Sequence, residues 1–513
     1  MRVTNNMIMN TTKSNINRNK ILVDKMNTQM STQKKIDVPS DDPVIAVRSL
    51  RLRSTLNQID QYLNTNVKDA ESWLEITDSS LDALEKTIEK IHTQCNDGSN
   101  DYLTQSDRNT ILTSLEQLRD QIYHEGNNDY AGRTIFTGYK TNSTLTFQTD
   151  SKDSYTITEP LSYEDVEEKN YYANTIDSFA ELPTAEPTED VAEVTIQRIR
   201  LSYNEIKNPS ELSFSYIDKA TGNAVTENFD MTGGSASTPG GFTFKPMTKT
   251  DLNAVDYAIG EKEIVLNTDT GELLLGKDVA SYVKSNKAEI SITYDKTGFN
   301  SGELRPEHYF NCTKTTDPVN PVKFINYNSQ GERMYEDINY YIGNNQSLTV
   351  NTLAADTFDA AIGRDVDELS DAVQFAMNAY NTVEKIKSMQ TSEQYSSEDD
   401  QKMLQAWLDA ANRQLDYANQ NMKELYNAKL TTFDNYETKI NLAITTVGTK
   451  QQRLELVKNR LESEQTTVEK LKSSNEDKEL SEVVIDYTAS YTAYQAALQA
   501  ASKVQEQTLL DYL

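Results

Sequence analysis

The side chains that most often do chemistry are few in this sequence and lie far apart. Three histidines occur, His92, His124 and His308, and their spacing is not typical of metal ligands. The two cysteines, Cys95 and Cys312, have neither metal-type nor redox-type spacing, which excludes a disulfide framework. Structural or surface roles explain these residues better than catalysis or metal binding.

Two other patterns also fail to indicate a catalytic site. The segment Thr232–Gly241 is rich in glycine, but no Lys-Ser or Lys-Thr pair follows it to hold a phosphate. The chain has 79 acidic residues, so neighbouring carboxylates such as Asp41 and Asp42 are expected by chance. The sequence therefore predicts no enzyme, with no catalytic, cofactor-binding or metal-binding residues and no cofactor.

The charge of the chain is strongly negative and unevenly distributed. A formal net charge of -29 and a pI of about 4.6 argue against nucleic acid as a partner, because phosphate binding needs a basic surface. Residues 1–36 hold seven basic residues and one acidic residue, whereas residues 474–513 hold seven acidic residues and two lysines. Attraction between these oppositely charged ends favours their pairing.

Length and composition predict several domains and long helices. A chain of 513 residues exceeds the size at which a single core usually stops growing. A composition of 37% hydrophobic and 25% charged residues, with a mean hydropathy of -0.67, suits helices with a narrow buried face. The N-terminus lacks a secretory-type apolar run, and we find no stretch long enough to span a membrane. These features predict a cytosolic protein, or one exported by another route.

Both ends of the chain show seven-residue apolar repeats, which place one stripe along a helix that must pack against another helix. The predicted assembly residues are Met9, Ile16, Val23 and Met30 at the start, and Leu480, Val484, Tyr487, Tyr491, Tyr494, Leu498 and Ala501 at the end. We expect the two ends to pair with each other and with other copies of the chain. Wide, amphipathic tyrosines favour a subunit interface.

A second pair of apolar seams predicts a helical rod. The motif Pro39-Ser40-Asp41-Asp42-Pro43 is typical of a helix start, because Ser or Asp caps the free amides and proline fits the first turn. The predicted rod-packing residues are Leu63, Val67, Ala70, Leu74, Leu81, Leu84, Ile88 and Ile91, together with Val447, Leu454, Leu461 and Val468. We expect these two seams to pack against each other.

The middle of the chain changes from helical spacing to the alternation of β-strands. Leu212, Phe214 and Tyr216 alternate with polar residues, and the turn-forming segment Asn267–Gly271 separates two short apolar runs. These patterns predict an inserted β-rich outer domain over residues 144–343, of one or two subdomains. The rod would then comprise residues 37–143 and 344–473, and the terminal assembly region residues 1–36 and 474–513.

With these motifs in view, the chain resembles the flagellar hook-associated protein 3 family, junction proteins between the bacterial hook and filament that are related to flagellin. The resembling segments are Met1–Thr4, Pro39–Pro43, Asp69–Leu74, Gly132–Gly138 and Thr508–Leu513. The likeness covers residues 1–140 and 365–513 and leaves out the β-rich middle. It implies an α+β fold, in which both chain ends form an elongated, coiled-coil-like helical rod and the β-rich domain faces outward.

The resemblance also implies a function and a set of partners. It implies a structural subunit that polymerises at the hook-filament junction, outside the cell, after export without a cleaved signal peptide. The implied partners are the chain itself, flagellin and another hook-associated protein, and a flagellar export chaperone for the C-terminal helix, with no nucleic acid and no membrane insertion. Two alternatives stay open, namely a flagellin-type filament subunit and a surface binding module carried on a helical stem.

Overall fold

The computed structural model describes residues 5–99, 104–187, 191–218, 222–230, 236–237, 241–328, 332–334 and 337–506. The first and last motifs of the family resemblance, Met1–Thr4 and Thr508–Leu513, lie outside these residues. The chain divides into two compact units. The first unit contains Met1–Glu71, Asn339–Leu348 and Gln451–Leu513, and the second contains Ser72–Ile338 and Thr349–Lys450.

Helices form both ends of the described part of the chain, and the strands lie between them. The helices are α1 (Asn5–Thr32), α2 (Pro43–Gln61), α3 (Lys68–Gly98), α4 (Gln105–Gly126), α5 (Lys249–Ala254), α6 (Lys277–Asn286), α7 (Ala354–Thr357), α8 (Ala361–Gln390), α9 (Glu398–Glu476) and α10 (Leu480–Glu506). A π-helical segment, Tyr62–Val67, joins α2 to α3 without a loop.

The strands lie mainly in the middle region of the chain. They are β1 (Asp129–Tyr130), β2 (Arg133–Thr134), β3 (Ser151–Ser162), β4 (Glu167–Ala173), β5 (Ala192–Arg200), β6 (Ile206–Ile217), β7 (Ala224–Asp230), β8 (Ala236–Ser237), β9 (Thr243–Met247), β10 (Glu263–Asn267), β11 (Glu272–Leu275), β12 (Glu289–Phe299), β13 (Asn311–Lys314), β14 (Val322–Phe324), β15 (Asn339–Gly343) and β16 (Gln346–Thr349).

Two larger sheets form in the second unit. One has the strand order β4-β5-β11-β10-β9-β8 and the other β14-β13-β3-β12-β6-β7. The hairpin predicted around Asn267–Gly271 is the antiparallel pair β10 and β11, and Gly271 has the positive φ of 65° that suits glycine in such a turn. β9 pairs with β10 in the parallel direction, which requires the crossover that contains α5.

Aromatic side chains fill the core beside the second sheet. The Phe147 and Phe299 rings stack with centroids 4.6 Å apart, and Tyr155 and Tyr203 meet Phe299 edge-on. All four side chains are buried. Aromatic pairs of this kind contribute specific geometry as well as apolar burial.

Helices α4 and α8 pack closely within the second unit. Thr104 caps α4 in a capping box with Asp107, so the helix begins at the following residue. On α8, a Cβ added to Gly363 would lie 1.4 Å from the Tyr123 hydroxyl oxygen of α4, so a larger residue there would require the Tyr123 side chain to move.

The fold class predicted from the sequence is confirmed, because long helices form the chain ends and a β-rich region lies between them. The β-rich segment also contains α5 and α6, which the alternation of apolar residues did not indicate. The predicted division into terminal, rod and outer parts has other boundaries than the two compact units, and it stays a prediction.

Candidate assembly surface

The two terminal helices, α1 and α10, pack along each other in the first unit and share a narrow apolar seam. Six of the predicted assembly residues are half-buried in this pair, and they are Ile16, Val23, Met30, Tyr487, Tyr494 and Ala501. Val483 adds the fully buried side chain of the pair, with 0% exposure. Polar contact across the seam includes the Asn19 amide, which donates to the Ala493 carbonyl at 3.4 Å.

The other five predicted assembly residues face outward. They are Met9, Leu480, Val484, Tyr491 and Leu498, and each side chain is 42–51% exposed. On α10, the last four of these form one stripe beside the seam, because they recur at helical spacings of four and seven residues. We call Leu480, Val484, Tyr491 and Leu498 the outward stripe. The seam inside the chain therefore leaves a second apolar face of α10 without a partner among the described residues.

A compact joint ties the end of α1 to the segment between α9 and α10. Lys34 and Asp477 form an isolated antiparallel bridge, with the Lys35 amide donating to the Glu476 carbonyl at 2.7 Å and the Lys478 amide to the Gln33 carbonyl at 2.9 Å. The Lys34 ammonium also lies 2.5 Å from the Asp477 carboxylate. This contact joins the basic start of the chain to its acidic end.

Glu476 is the centre of this joint. Its side chain is 3% exposed and accepts hydrogen bonds from the Ser49 hydroxyl and from Arg53 Nε and Nη2 at 3.0 and 2.9 Å, with Lys34 Nζ 3.4 Å away. The hydrogen bonds from Arg53, together with Ser49 and Lys34, outweigh burial and lower the pKa of Glu476 to about 2. Glu476 is therefore a charged group that holds α1, α2 and α9 together.

All the predicted rod-packing residues are buried. They are Leu63, Val67, Ala70, Leu74, Leu81, Leu84, Ile88, Ile91, Val447, Leu454, Leu461 and Val468. Polar contacts within the first unit link α9 to the start of α3 and to the end of α2. Lys458 Nζ lies 3.0 Å from both carboxylate oxygens of Glu71, and the Gln465 amide donates to Asp60 at 2.6 Å. We keep the pairing of the two seams as a prediction that these contacts support.

The motif Pro39-Ser40-Asp41-Asp42-Pro43 lies at the start of α2. Asp42 is the N-cap, and its Oδ1 accepts from the amides of Val44 and Ile45 at 2.9 and 3.2 Å. Asp41 folds back to accept from the amides of Asp37 and Val38, and these two bonds lower the pKa of Asp41. Both carboxylates thus accept hydrogen bonds from backbone amides around the start of α2.

A group of eight charges, most of them buried, lies in the second unit, where strands β4, β5 and β11 meet α8 and α9. It contains the cations Lys169, Arg198, Arg200 and Lys429 and the carboxylates Glu167, Glu272, Asp365 and Glu368. Arg198 Nη2 lies 2.5 Å from Glu368, Arg200 Nη1 3.0 Å from Glu368, and Lys429 2.6 Å from Asp365. Opposite charges are matched throughout, so the cluster fastens sheet to helices rather than offering a reactive group.

The histidines and cysteines are not placed together in a site. His308 is buried, and burial with nearby Lys140 lowers the pKa of its imidazole to about 3, while His92 lies in an exposed contact 3.2 Å from Asp434. Burial raises the pKa of the Cys95 thiol to about 12. Within the described ranges we find no group of three metal-binding side chains. In the same part of the chain, every helix is too short or too polar to cross a membrane.

Two important residues of the assembly surface were missed in the sequence. Val483 lies outside both predicted heptad lines, although it precedes Tyr487 by the four residues typical of a seam. Glu476 was counted only as one of the acidic residues near the end. Its partners Lys34, Ser49 and Arg53 lie more than 400 residues away, so no local signal could have identified it.

Comparison with known proteins identifies a matching family and related proteins. Residues 3–141 match the family described as the bacterial flagellin N-terminal helical region. The chain is 30% identical over 142 residues to flagellar hook-associated protein 3 of Salmonella typhimurium. These residues cover 28% of this chain and 44% of that protein. It is 33% identical over 118 residues to flagellar hook-associated protein 3 of Escherichia coli, spanning 23% of this chain and 37% of that protein.

A flagellin is also similar over a comparable length. The flagellin of Clostridium tyrobutyricum is 25% identical over 122 residues, which cover 24% of this chain and 32% of that protein. The matched segments thus span less than half of each of these relatives. They confirm the resemblance expected from the sequence motifs: residues 3–141 match the bacterial flagellin N-terminal helical region, and part of the chain is similar to two flagellar hook-associated protein 3 sequences.

Proposed function

We propose that this chain is a structural subunit of the bacterial flagellum that polymerises at the hook-filament junction and connects hook to filament. The observation that carries the proposal is the outward stripe of α10, which stays exposed after α1 and α10 have packed together. An ordered row of apolar side chains on the surface of a charged protein is typical of an interaction site. Its helical spacing fits another helix as the partner.

The aromatic content of the stripe supports a subunit interface. Tyr491 is 43% exposed and stacks on Tyr487 with ring centroids 6.0 Å apart and planes 12° apart. The Tyr487 ring is half-buried in the seam, so Tyr491 is held by a side chain that the pair already fixes. A rigid aromatic ring buries much area at low entropic cost, which suits a contact between subunits.

We propose three roles along the chain, with the boundaries predicted from the sequence. Residues 1–36 and 474–513 form the assembly region, residues 37–143 and 344–473 the rod, and residues 144–343 an outer domain. The placement of β3 to β14 within residues 144–343 and in the second unit supports the outer domain, whereas β15 of this range lies in the first unit and pairs with β16 beyond it. The function needs no catalytic residue and no cofactor.

The proposed partners are other copies of the chain, another hook-associated protein, flagellin and an export chaperone that covers the C-terminal helix. An exposed apolar stripe on α10 supports a chaperone, because such a surface would otherwise associate prematurely. The proposed location is the hook-filament junction outside the cell, reached through flagellar export without a cleaved signal peptide.

A double variant of the outward stripe tests the assembly role. Tyr491→Asp with Leu498→Asp places two charges on the stripe and leaves the seam intact, so we expect folded protein that no longer joins hooks to filaments. The measurement is electron microscopy of hooks and filaments from cells in which this gene has been replaced by the variant. Thr492→Asp with Gln499→Asp is the matched control, since both residues are exposed and lie off the stripe. Normal filaments on the Tyr491→Asp, Leu498→Asp strain would contradict the proposal.

A flagellin-type filament subunit is the second candidate, supported by the match to a flagellin. The two functions differ in copy number and position. Labelling of the chain on purified hook-filament complexes would show a narrow band at one end of the filament for a junction protein. Labelling along the whole filament would show a flagellin.

A further inference from the structure

The outward face of α2 combines apolar and basic side chains. Val44 is 61% exposed and Val47 is 48% exposed, and the exposed residues Arg48 and Arg51 continue the same side of the helix. The opposite side of α2 holds Ala46, which is buried. We call Val44, Val47, Arg48 and Arg51 the basic face.

A groove continues this face towards the end of α9. It has a volume of about 600 Å³, and its walls include Lys35, Arg48 and Arg51 with the apolar side chains of Leu52 and Leu471. Leu471 is 54% exposed. The residues that line the groove all belong to the first compact unit. The basic face and the groove together therefore present positive charge and apolar side chains around one depression in the surface.

The acidic groups near the basic face already have partners. The Glu476 carboxylate accepts hydrogen bonds from Ser49, Arg53 and Lys34. In contrast, Arg48 and Arg51 form no ion pair within the part of the chain that the structure describes. These two arginines therefore form an uncompensated positive surface on a chain whose net charge is -29. An acidic helix surface is the occupant that such a face fits best.

Helix α3 supplies an acidic surface of matching spacing. Glu75, Asp78, Asp82, Glu85 and Glu89 follow one another at intervals of three or four residues, so they form a single line along the helix. We call these five residues the acidic line. Each is exposed or half-exposed, and none takes part in an ion pair within the described ranges. Arg48 and Arg51, three residues apart, match the spacing of neighbours on this line.

We propose that the basic face of α2 docks on the acidic line of α3 in a second copy of the chain. The two surfaces differ, so the contact is head-to-tail and can repeat from subunit to subunit in an open assembly. The valines supply apolar burial and the arginines select the register. This inference rests on the proposed polymerisation and names one of its contacts, which is distinct from the outward stripe of α10.

Charge reversal with a mixing step tests the contact. Arg48→Glu with Arg51→Glu gives one full-length variant, and Asp78→Lys with Asp82→Lys gives another. Each variant alone presents like charges at the contact, so we expect self-association to weaken about tenfold or more, measured by sedimentation velocity at low salt. In an equal mixture, the reversed faces of the two variants again join opposite charges. We expect the mixture to recover association well above that of either variant alone.

The mixing step separates contact from misfolding, because a misfolded chain would not be rescued by a second variant. Lys385→Glu with Lys402→Glu is the control, since both lysines are exposed and belong to neither the basic face nor the acidic line. We expect it to associate like the wild type. The wild-type association should also weaken as salt rises, because exposed charges are screened.

The outcomes distinguish this contact from the proposed function. Variants that associate like the wild type, or a mixture that stays as weak as its components, would overturn the α2–α3 contact and leave polymerisation standing. A wild-type chain that stays monomeric even with isolated hooks would overturn both.

Disulfide trapping under mild oxidation tests the contact directly. We expect an Arg51→Cys chain to form a disulfide with a differently tagged Asp82→Cys chain, because the two positions face each other across the proposed contact. A chain carrying Lys402→Cys is the control, since that exposed position lies outside both surfaces. Equal trapping of the Asp82→Cys and Lys402→Cys chains by Arg51→Cys would contradict the contact.

Discussion

At the scale of single residues, the chain holds its long helices together with a few buried charges. Glu476 forms ion pairs with Arg53 of α2 and with Lys34 after the end of α1. Glu368 forms ion pairs with Lys169, Arg198, Arg200 and Lys429. Such groups are costly to bury, and they stay charged only because cations surround them. The pKa of each carboxylate is lowered for that reason, which makes its contribution to stability dependent on pH.

We expect Glu476→Gln to destabilise the joint by about 1–3 kcal/mol at neutral pH, because hydrogen bonds to a charged group are lost. The pKa of Glu476 is about 2 in the folded chain against an ordinary value of 4.5, so its contribution is complete above pH 4.5 and falls as the pH drops towards 2. Thermal unfolding of the wild type and the variant from pH 7 to pH 3 should show a difference that narrows with acid. Glu469→Gln, an exposed position on the same helix, should show almost no difference. A gap that stays constant with pH would contradict this account.

The second unit should respond more strongly to the loss of a single carboxylate. Glu368→Ala leaves Arg198 and Arg200 buried without their shared partner, so we expect a loss of about 3–5 kcal/mol in the free energy of unfolding. Denaturant unfolding followed by circular dichroism measures it. The exposed pair Glu384 and Lys387 offers the control, because Glu384→Ala should change stability by less than about 0.5 kcal/mol. Equal effects at the two positions would show that the buried cluster does not fasten the unit.

At the scale of elements, α10 has two neighbouring rows of apolar side chains, one buried and one exposed. One face holds the buried Val483 and the half-buried Tyr487 and Tyr494, and the other is the outward stripe. A heptad repeat alone does not separate them, since both lines satisfy the same spacing. The structure distinguishes the two rows by their exposure, so each row can be tested by its own substitution.

The seam of the terminal pair is narrow enough for one substitution to open it. Val483→Asp places a carboxylate where a fully buried apolar side chain stood, so we expect α1 and α10 to separate in the free chain. Amide hydrogen exchange along both helices would measure the change. Ile485→Asp is the control, because that side chain is 68% exposed and only two residues away. Unchanged protection of α1 in Val483→Asp would show that the pair is held by other contacts.

The sequence predicted the elements better than it predicted their partners. Heptad spacing identified the terminal and rod helices, and the turn residues Asn267–Gly271 identified the hairpin of β10 and β11. The parallel pairing of β9 with β10 and the gathering of donors around Glu476 join residues that are distant along the chain, and local patterns carry no information on them. The same limit explains why Val483 was missed, since its burial depends on how α1 approaches.

At the scale of the whole molecule, apolar burial is unevenly distributed along the chain. Among the described residues of α1 and α10, Val483 is the one fully buried apolar side chain, whereas the helices and sheets of the second unit bury many. Local opening costs least where few apolar contacts are broken. The two ends of the chain should therefore be its least stable part until another subunit covers them.

Limited proteolysis of the free chain and of the assembled chain tests this distribution. In the free chain we expect rapid cleavage after exposed residues of the terminal pair, such as Lys20 and Tyr491, and survival of a fragment close to residues 37–478. Assembly should slow these cuts, because a neighbouring subunit would cover the outward stripe, while cuts in exposed loops of the β-rich region should keep their rate and serve as the internal control. Mass spectrometry of the fragments measures both. If the ends are cut equally fast before and after assembly, the outward stripe is not a subunit contact, and the stability of the ends has no part in building the junction.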